Sequence, residues 1–260
     1  MQENKLSLHT SFTVTSAETD MYGRIRLSAL LNFLIQSAIQ SADSLGFGFS
    51  QLKKQQLFWV LSRMNLEIVR PLAWYETVKV ETWPKNVEKI LYIRDFLVRD
   101  RHEKIVARAT SGWLAIDKET KRPGLYRGYE AESLTRLKNK QAMKEFPQKT
   151  PPVEYGETFH IQPAYFDMDL NRHVTSTRYI DWMMDTFPVD FHAEHYPTLL
   201  NINYLKETRP GMEMLMRRRH YEKEAYGFQS NHLPGMSPSV RGQLVFAKNR
   251  YSPDGQFTHK

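Results

Sequence analysis

The sequence predicts an α+β protein made of two copies of one unit, in which an antiparallel sheet wraps around a long central helix. Three observations support this: a helical segment that is apolar on nearly all sides, four strand-like segments after it, and the return of the same order in the second half. A helix that is apolar all round has to be enclosed by other structure. Short connections between successive strands favour antiparallel pairing. A chain of 260 residues has room for two such domains.

The first copy begins with "SLHTSFTVTS", whose alternation and content of Thr, Phe and Val predict a strand. The segment "RLSALLNFLIQSAIQSADSLG" predicts the central helix, which Gly46 ends. With "PKNVE" and "RHE" as turns, four antiparallel strands follow: "LFWVLSRMNLEIV", "ETVKVETWP", "KILYIRDFLVRD" and "KIVARATSGWLAID". We assign residues 1–126 to this N-terminal unit.

The second copy repeats this order within residues 156–260, which we assign to a C-terminal unit. "ETFHIQPAYF" predicts a strand, Thr175 to Phe187 the helix, and "TLLNINYLKETRP" the next strand. The remaining strands are expected in "MEMLMRRRHYEKE", "YGFQSNH" and "SVRGQLVFAKNRY", with "LPGMSPS" as a loop. Residues 127–155 are polar and contain Pro-Pro, which predicts a linker.

Two short matches align the copies. Asp20 aligns with Asp169 and Ile25 with Val174, whereas "LEIVRP" aligns with "LKETRP" at a different offset. These alignments set Tyr22 opposite Asn171, Arg24 opposite His173 and Ile68 opposite Glu207. The first copy therefore keeps the helix but lacks a set of polar residues that the second copy has.

This polar set stands just before the second helix. Asp169, Asn171 and His173 occupy alternate positions, so an extended segment would aim all three side chains to one side. The helix would add free backbone N–H groups at its N-terminus, with Thr175 or Ser176 as its cap.

Each of these residues also has a plain structural interpretation. Asp169 and Asn171 are typical turn residues, a lone His173 is more often structural than catalytic, and Glu207 by itself would pass as a surface charge. We prefer a functional site because the residues occur together and precede an apolar helix. Asp167 is the weaker carboxylate, for which capping or surface placement is the default.

Several motifs resemble the acyl-acyl-carrier-protein thioesterases of bacteria and plant plastids. "DLNRHVTSTRYIDW" is similar to that family's Asp-x-Asn-x-His-Val-x-Asn-x-x-Tyr-Ile-x-Trp signature, with Ser176 in place of its second Asn, and "NYLKE" resembles its Tyr-Arg-Arg-Glu block. "FWVLSRMNLEIVRPLAWYETVKVETWP" and "RDFLVRD" resemble other segments of the family. The resemblance covers roughly Leu8 to Gly211 and implies two tandem hot-dog units.

The resemblance also implies a reaction, hydrolysis of the thioester that joins a fatty acyl chain to acyl carrier protein. Such hydrolysis needs an aimed water, a base and donors for the oxyanion. The family's functional residues correspond to Asp169, Asn171, His173 and Glu207, with Glu207 or Asp169 favoured as the base. We expect these side chains to converge at the tip of the second helix and to face an apolar tunnel.

The N-terminal unit would then hold the acyl chain. The candidate residues for this pocket are Leu30, Leu34, Ala38, Trp59 and Met64, although plain core packing is the alternative for each. The chain-length preference is not specified by the sequence. Two other functions stay open: an acyl-coenzyme A thioesterase with the same site, and a non-catalytic acyl-binding hot-dog protein.

Composition and motif content argue against several other classes of protein. The chain has no cysteine, which excludes disulfides, thiolate nucleophiles and Cys-based metal sites, and its net charge of +7 favours an acidic partner. Nucleotide-binding and Ser-hydrolase motifs are absent, and no basic stripe predicts a nucleic-acid partner. We expect neither a cofactor nor a metal ion. Without a visible signal or membrane span, we expect a cytoplasmic protein, either a monomer or a homodimer.

Overall fold

The computed structural model describes residues 6–127 and 134–248. Parts of the predicted N-terminal unit (1–5), linker (128–133) and C-terminal unit (249–260) lie outside the described residues. The chain forms two compact units. Unit 1 comprises Met1–Thr13, Leu31–Val69 and Tyr75–Gln148. Unit 2 comprises Val14–Leu30, Arg70–Trp74 and Lys149–Lys260, so it includes two segments from the first half of the chain.

Unit 1 is an antiparallel sheet with the strand order β1-β3-β4-β5-β2, and the short β6 pairs with β5. The elements of the first half of the chain are β1 (Leu8–Thr13), α1 (Leu27–Ser44), α2 (Phe49–Lys54), β2 (Leu57–Ile68), β3 (Thr77–Glu88), β4 (Leu91–Arg99), β5 (Ile105–Asp117) and β6 (Pro123–Gly124).

Helix α1 is buried over most of its surface, as its apolar sequence predicts. The residues that are exposed on one face include Asn32, Gln36 and Ile39. The ring of Phe33 stacks on Phe12 of β1 with 4.4 Å between centroids. Ala42 packs in a cluster with Leu57 of β2 and Ala115 of β5. From Leu31 onward the helix therefore forms the core of unit 1, around which the strands pack.

The two predicted turns of the first half have different outcomes. "RHE" is a turn, in which Asp100 Oδ1 accepts hydrogen bonds from the backbone N–H groups of His102 and Lys104. The predicted turn "PKNVE" is wrong, because β3 continues to Glu88. Pro84 has no backbone N–H to donate to a neighbouring strand, and β3 accommodates it because the register against β4 shifts between Pro84 and Asn86.

Unit 2 contains a second antiparallel sheet, with the order β8-β11-β10-β9-β7. Its elements are β7 (Glu157–Ile161), α3 (Ser176–Asp185), α4 (Val189–Glu194), β8 (His195–Tyr204), β9 (Met214–His220), β10 (Ala225–His232) and β11 (Pro238–Lys248). The strands predicted after Gly211 are confirmed. Helix α3 has 10 residues and ends two positions before Phe187, the predicted end.

The described part of the predicted linker includes residues that pack in unit 1. Leu134 lies in the apolar cluster around Leu57, and Leu137 and Ala142 pack with Leu6 and Trp83. Across residues 6–127 and 134–248, no helix is both long and apolar enough to cross a membrane.

Candidate active site

The polar segment before α3 is a tight loop. Asp169 Oδ1 accepts hydrogen bonds from the backbone N–H groups of Asn171 (2.8 Å) and His173 (3.0 Å), and Asp169 N–H donates to His173 O (2.7 Å). Arg172 adopts a positive φ of 60°. The expected extended conformation of this segment is therefore wrong, because the Asp169 carboxylate folds the backbone around itself.

The loop brings His173 to Glu207, which follows β8. His173 Nε2 lies 3.1 Å from Glu207 Oε2, and the two side chains are 25% and 40% exposed. The backbone supports this approach, since Val174 N–H donates to Thr208 O (2.9 Å). Two residues that are 34 positions apart in the sequence thus lie in contact at the N-terminal end of α3.

Glu207 is held from its other side by Arg209. Glu207 Oε1 accepts hydrogen bonds from Arg209 Nε (3.0 Å) and from Arg209 Nη2. Both oxygens of the Glu207 carboxylate are therefore engaged, one by the imidazole and one by the guanidinium. The sequence analysis did not identify Arg209, although it stands only two residues after Glu207 in the chain.

Asn171 and the start of α3 complete the surroundings. Asn171 is exposed, and among the described residues its side chain has no hydrogen-bond partner. Thr175 occupies the N-cap position of α3, but no side-chain capping bond forms within the described chain. The amide of Asn171 and the first N–H groups of the helix are therefore donors that a substrate oxygen could use.

A buried hydrogen-bond chain supports the Glu207 side of the site. Tyr179 Oη donates to Thr208 Oγ1 (2.7 Å), which lies 2.8 Å from His232 Nε2, and His232 Nδ1 lies 3.2 Å from Ser237 Oγ. Burial raises the pKa of Tyr179 to about 12. Burial, with a smaller effect of Lys206, lowers the pKa of His232 and favours its neutral ring. No local sequence pattern indicated that Thr208 and His232 meet.

Asp167 lies outside the pair but is not a surface carboxylate. Its side chain is 8% exposed and accepts a hydrogen bond from Arg178 Nε (2.6 Å) and one from the backbone N–H of Ala164 (2.6 Å). Asp167 therefore caps the short 3-10 helix Tyr165–Asp167 that enters the loop, so the expectation of a capping role is confirmed and that of a surface placement is wrong.

A cavity lies in the described part of each unit. The cavity of unit 1 has a volume of about 60 Å³, and its lining includes Ala38 and Trp59. Leu34 and Met64 are fully buried and are not part of its lining, and Leu30 belongs to unit 2. The cavity of unit 2, about 180 Å³, lies beside the segment from Asp20 to Leu27.

The polar set does not line either of these two cavities, so neither is the apolar tunnel expected to face it. Within residues 6–127 and 134–248, no group of three or more His, Asp or Glu side chains is arranged to hold a metal ion.

Sequence comparison places both halves in one family. The domain described as the acyl-ACP thioesterase N-terminal domain matches residues 5–125, and the acyl-ACP thioesterase C-terminal domain matches residues 151–243. Together these matches cover most of the chain.

Two plant relatives show how far the similarity extends. The oleoyl-acyl carrier protein thioesterase 1 of Arabidopsis thaliana is 26% identical over 80% of this chain and 62% of its own length. The palmitoyl-acyl carrier protein thioesterase of Gossypium hirsutum is 29% identical over 79% of this chain and 53% of its own length. The chain therefore spans between about half and two thirds of these curated relatives.

Solved structures support the predicted fold. An acyl-ACP thioesterase from Bacteroides thetaiotaomicron superimposes with a TM-score of 0.83 and 25% identity, covering 95% of this chain and all of the other. A 12:0-ACP thioesterase from Umbellularia californica, 21% identical, has a TM-score of 0.81 over 94% of this chain and 98% of its own. The prediction of two tandem hot-dog units is confirmed.

Proposed function

This chain belongs to the acyl-ACP thioesterase family, and we therefore propose that it hydrolyses the thioester between a fatty acyl chain and acyl carrier protein. The observation that carries this proposal is the close approach of His173 Nε2 to Glu207 Oε2, at 3.1 Å. An imidazole held by a carboxylate, beside unoccupied donors at a helix N-terminus, is the set of groups that hydrolysis of a thioester requires.

The pair suggests which atom takes the proton. A carboxylate oxygen at Nε2 favours the tautomer with its proton on Nε2, and this leaves Nδ1 of His173 free to accept a proton from water. Glu207 then stabilises the imidazolium that forms. We propose His173 as the general base and Glu207 as the residue that orients it.

The contacts of the two carboxylates support this choice over a carboxylate base. Asp169 Oδ1 already accepts two backbone hydrogen bonds that shape the loop. Glu207 Oε1 accepts from Arg209, and Glu207 Oε2 lies 3.1 Å from His173 Nε2. Both carboxylates therefore already have a structural role, Asp169 as the centre of the loop and Glu207 as the partner of His173 and Arg209.

The proposed reaction proceeds as follows. His173 Nδ1 takes a proton from water while the water oxygen bonds to the thioester carbonyl carbon. Asn171 and the first N–H groups of α3 donate to the resulting oxyanion. When the intermediate collapses, the C–S bond breaks, and the imidazolium returns the proton to the departing thiolate. The products are the free fatty acid and the thiol form of the carrier.

We propose that unit 1 takes part of the acyl chain in its cavity, whose lining includes Ala38 and Trp59. The walls of the cavity are almost entirely apolar, which suits methylene groups. Leu34 and Met64 would support these walls from the fully buried core.

The direct test measures release of free fatty acid from a panel of acyl-ACP substrates. His173→Ala should lower kcat by about 10²–10⁴, the usual contribution of a general base. Glu207→Gln should lower kcat less, because the imidazole remains. His160→Ala, on the exposed side of β7, is the matched control and should keep wild-type activity. Wild-type rates in His173→Ala would refute the assignment.

Adding the coenzyme A thioesters of the same acyl chains to this panel separates the remaining functions. If the coenzyme A thioesters are hydrolysed faster than the carrier-protein thioesters, the substrate proposal is replaced by the acyl-coenzyme A alternative. A chain that binds acyl groups but hydrolyses none of the substrates would be the non-catalytic protein. The proposal also includes acyl carrier protein as the partner, the cytoplasm as the compartment and a homodimer as the assembly. Pull-down with acyl carrier protein tests the partner, cell fractionation tests the compartment, and light scattering tests the assembly.

A further inference from the structure

Unit 1 contains an arginine that the proposed reaction does not use. The side chain of Arg94, on β4, is among the buried groups of the protein, with the residue 5% exposed. Its Nη1 donates to Ser41 Oγ (2.9 Å) and to Thr82 Oγ1 (3.2 Å). Both partners are neutral hydroxyl groups, so they accept hydrogen bonds from Arg94 but do not balance its positive charge.

The carboxylate next to it in the sequence, Asp95, does not pair with Arg94: Asp95 Oδ1 has no hydrogen-bond partner among the described residues, and Oδ2 is bound by other groups. Asp95 Oδ2 accepts from Lys85 Nζ (3.1 Å) and from the backbone N–H of Ala142 (2.8 Å). Among residues 6–127 and 134–248, Arg94 forms no ion pair. Burial lowers the pKa of Arg94 to about 9, so the group is still protonated near neutral pH. A buried cation without a counter-ion is unfavourable unless a ligand supplies the negative charge.

Arg94 also lines the cavity of unit 1, and it is the one charged residue of the described lining. The other polar side-chain groups of this lining are occupied: Trp59 Nε1 donates to Phe47 O, Trp113 Nε1 donates to Ser111 Oγ, and Tyr92 Oη accepts from Tyr126 N–H. Within the described chain, Nε and Nη2 of Arg94 have no hydrogen-bond partner. The cavity therefore combines apolar walls with one unmatched guanidinium.

We propose that this cavity binds a carboxylate at the end of an aliphatic chain, with Arg94 as its counter-ion. The planar guanidinium can offer Nε–H and Nη2–H to the two oxygens of one carboxylate. The volume of about 60 Å³ is about four to six times the space that one water requires, which accommodates a carboxylate and the adjoining carbons. The aromatic and aliphatic walls then contact the methylene groups.

Two sources can present this chemistry: a free fatty acid, or an acyl chain with a second carboxylate at its distal end. The binding site itself does not depend on hydrolysis. Binding of an acyl chain with a distal carboxylate, and inhibition of the enzyme by a free fatty acid, both rest on the proposed function.

Direct binding is the primary test, because Trp59 and Trp113 line the cavity and their fluorescence reports its occupancy. The wild-type protein is titrated with fatty acids and with primary alcohols of the same chain length. We expect the acid to bind at least tenfold more tightly than the matched alcohol. Equal affinities of acid and alcohol for the wild-type protein would overturn the proposal, and this comparison needs no variant.

Variants then locate the anion. Arg94→Met should remove the preference for the acid, and Arg94→Lys, which keeps the charge but not the fork of donors, should retain part of it. Arg99→Met, at the end of the same strand, is the matched control and should bind as wild type. Thermal unfolding checks that each variant is folded. A folded Arg94→Met protein that keeps the full preference would also overturn the proposal.

Measurements of hydrolytic activity distinguish the two possible sources of the carboxylate. If the ligand is a free fatty acid, added acid should inhibit hydrolysis of plain acyl-ACP more than the matched alcohol does. If the ligand is a distal carboxylate, an acyl-ACP that carries one should have a higher kcat/KM than the plain chain of equal length. Absence of both effects, together with equal binding of acid and alcohol, rejects the site. Absence of all hydrolysis would instead reject the proposed function and leave the fluorescence result standing.

Discussion

Two loops of unit 2 share one backbone arrangement and differ in their chemistry. In the first, Asp20 Oδ1 accepts from the N–H groups of Tyr22 and Arg24, both at 2.9 Å, and Asp20 N–H donates to Arg24 O. The loop from Asp169 to His173 has the same three hydrogen bonds. The repeat therefore preserves a backbone scaffold that does not depend on the side chains at its third and fifth positions.

Those two side chains decide what each loop can do. Arg24 is 4% exposed, and its guanidinium binds Asp20 and the backbone carbonyls of His192 and His195. His173 is partly exposed and binds Glu207. The first loop uses its charge as an internal cross-link, whereas the second leaves an imidazole within reach of solvent.

The hydrogen bonds also correct the alignment of the copies. Ile25 N–H donates to Leu72 O, and Val174 N–H donates to Thr208 O. Leu72 thus corresponds to Thr208, and the residue that corresponds to Glu207 is Pro71. The expected correspondence with Ile68 is wrong, because Ile68 is the last residue of β2, whereas Glu207 lies beyond the end of β8.

The largest effect is expected when the second loop is given the side chains of the first. Asn171→Tyr with His173→Arg should lower the rate of acyl-ACP hydrolysis by at least about 10²-fold, because it removes the proposed base and the amide donor. Fatty acid release measures the rate. The loop should still form, because Asp169 keeps its two backbone hydrogen bonds.

Arg172→Gly is the matched control for that exchange. It introduces the residue of the first loop, Gly23, at a position of positive φ in both loops, and it leaves the pair of His173 and Glu207 untouched. We expect activity close to wild type. If the exchanged loop hydrolysed acyl-ACP as fast as Arg172→Gly, the side chains would not be the source of the difference.

The second comparison concerns stability. Asp20→Ala removes the acidic partner of a buried guanidinium and should cost on the order of 3 kcal/mol, even though Asp20 is 28% exposed. Asp169→Ala removes a carboxylate with two backbone partners at an exposed site and should cost about 1 kcal/mol. Urea unfolding of the two variants measures both losses. Equal losses would contradict the view that the first loop is a cross-link.

A third prediction concerns the division of labour between the copies. Ala38→Trp should fill the cavity of unit 1 and shift the released fatty acids to shorter chains. Each methylene that no longer fits is worth about 0.8 kcal/mol, or roughly fourfold in preference. Product analysis by chain length tests this. An unchanged profile in a folded variant would remove the acyl-chain role from this cavity.

The smallest effect is a pH dependence of stability. The pKa of His232 is lowered in the folded protein, so below the ordinary value of 6.5 the unfolded chain binds a proton that the folded chain resists. Stability should therefore fall as the pH drops from neutral through 6.5 toward the lowered pKa. His192, whose pKa burial also lowers, acts in the same direction.

Melting temperatures at pH 7.5 and 5.5 isolate the contribution of His232. His232→Gln should lose less stability than wild type over this interval, because its side chain does not titrate. His160→Gln, at an exposed site on β7, should follow the wild-type profile. A His232→Gln profile that is parallel to wild type would show that this ring is not a source of the dependence.

Much of the fold could be predicted because its signals are local. The apolar surface of α1 predicted an enclosed helix, and alternating segments predicted the strands, including the weaker ones after Gly211. These local signals gave wrong predictions where the same residue is compatible with two backbone conformations. Pro84 suggested a turn but lies in β3, since a register shift accommodates it. The alternation before α3 suggested an extended segment, but a carboxylate can also close a turn on its own backbone.

The sequence by itself determined the two α+β copies, the polar set of the second copy and its absence from the first. Only the tertiary structure decided that His173 meets Glu207, that Arg209 holds the far side of that carboxylate, and that Arg94 is buried without a counter-ion. The physical reason is that periodicity and turn preference act between neighbours in the chain. Contacts between distant side chains depend instead on strand register and on the direction in which each packed element presents its residues.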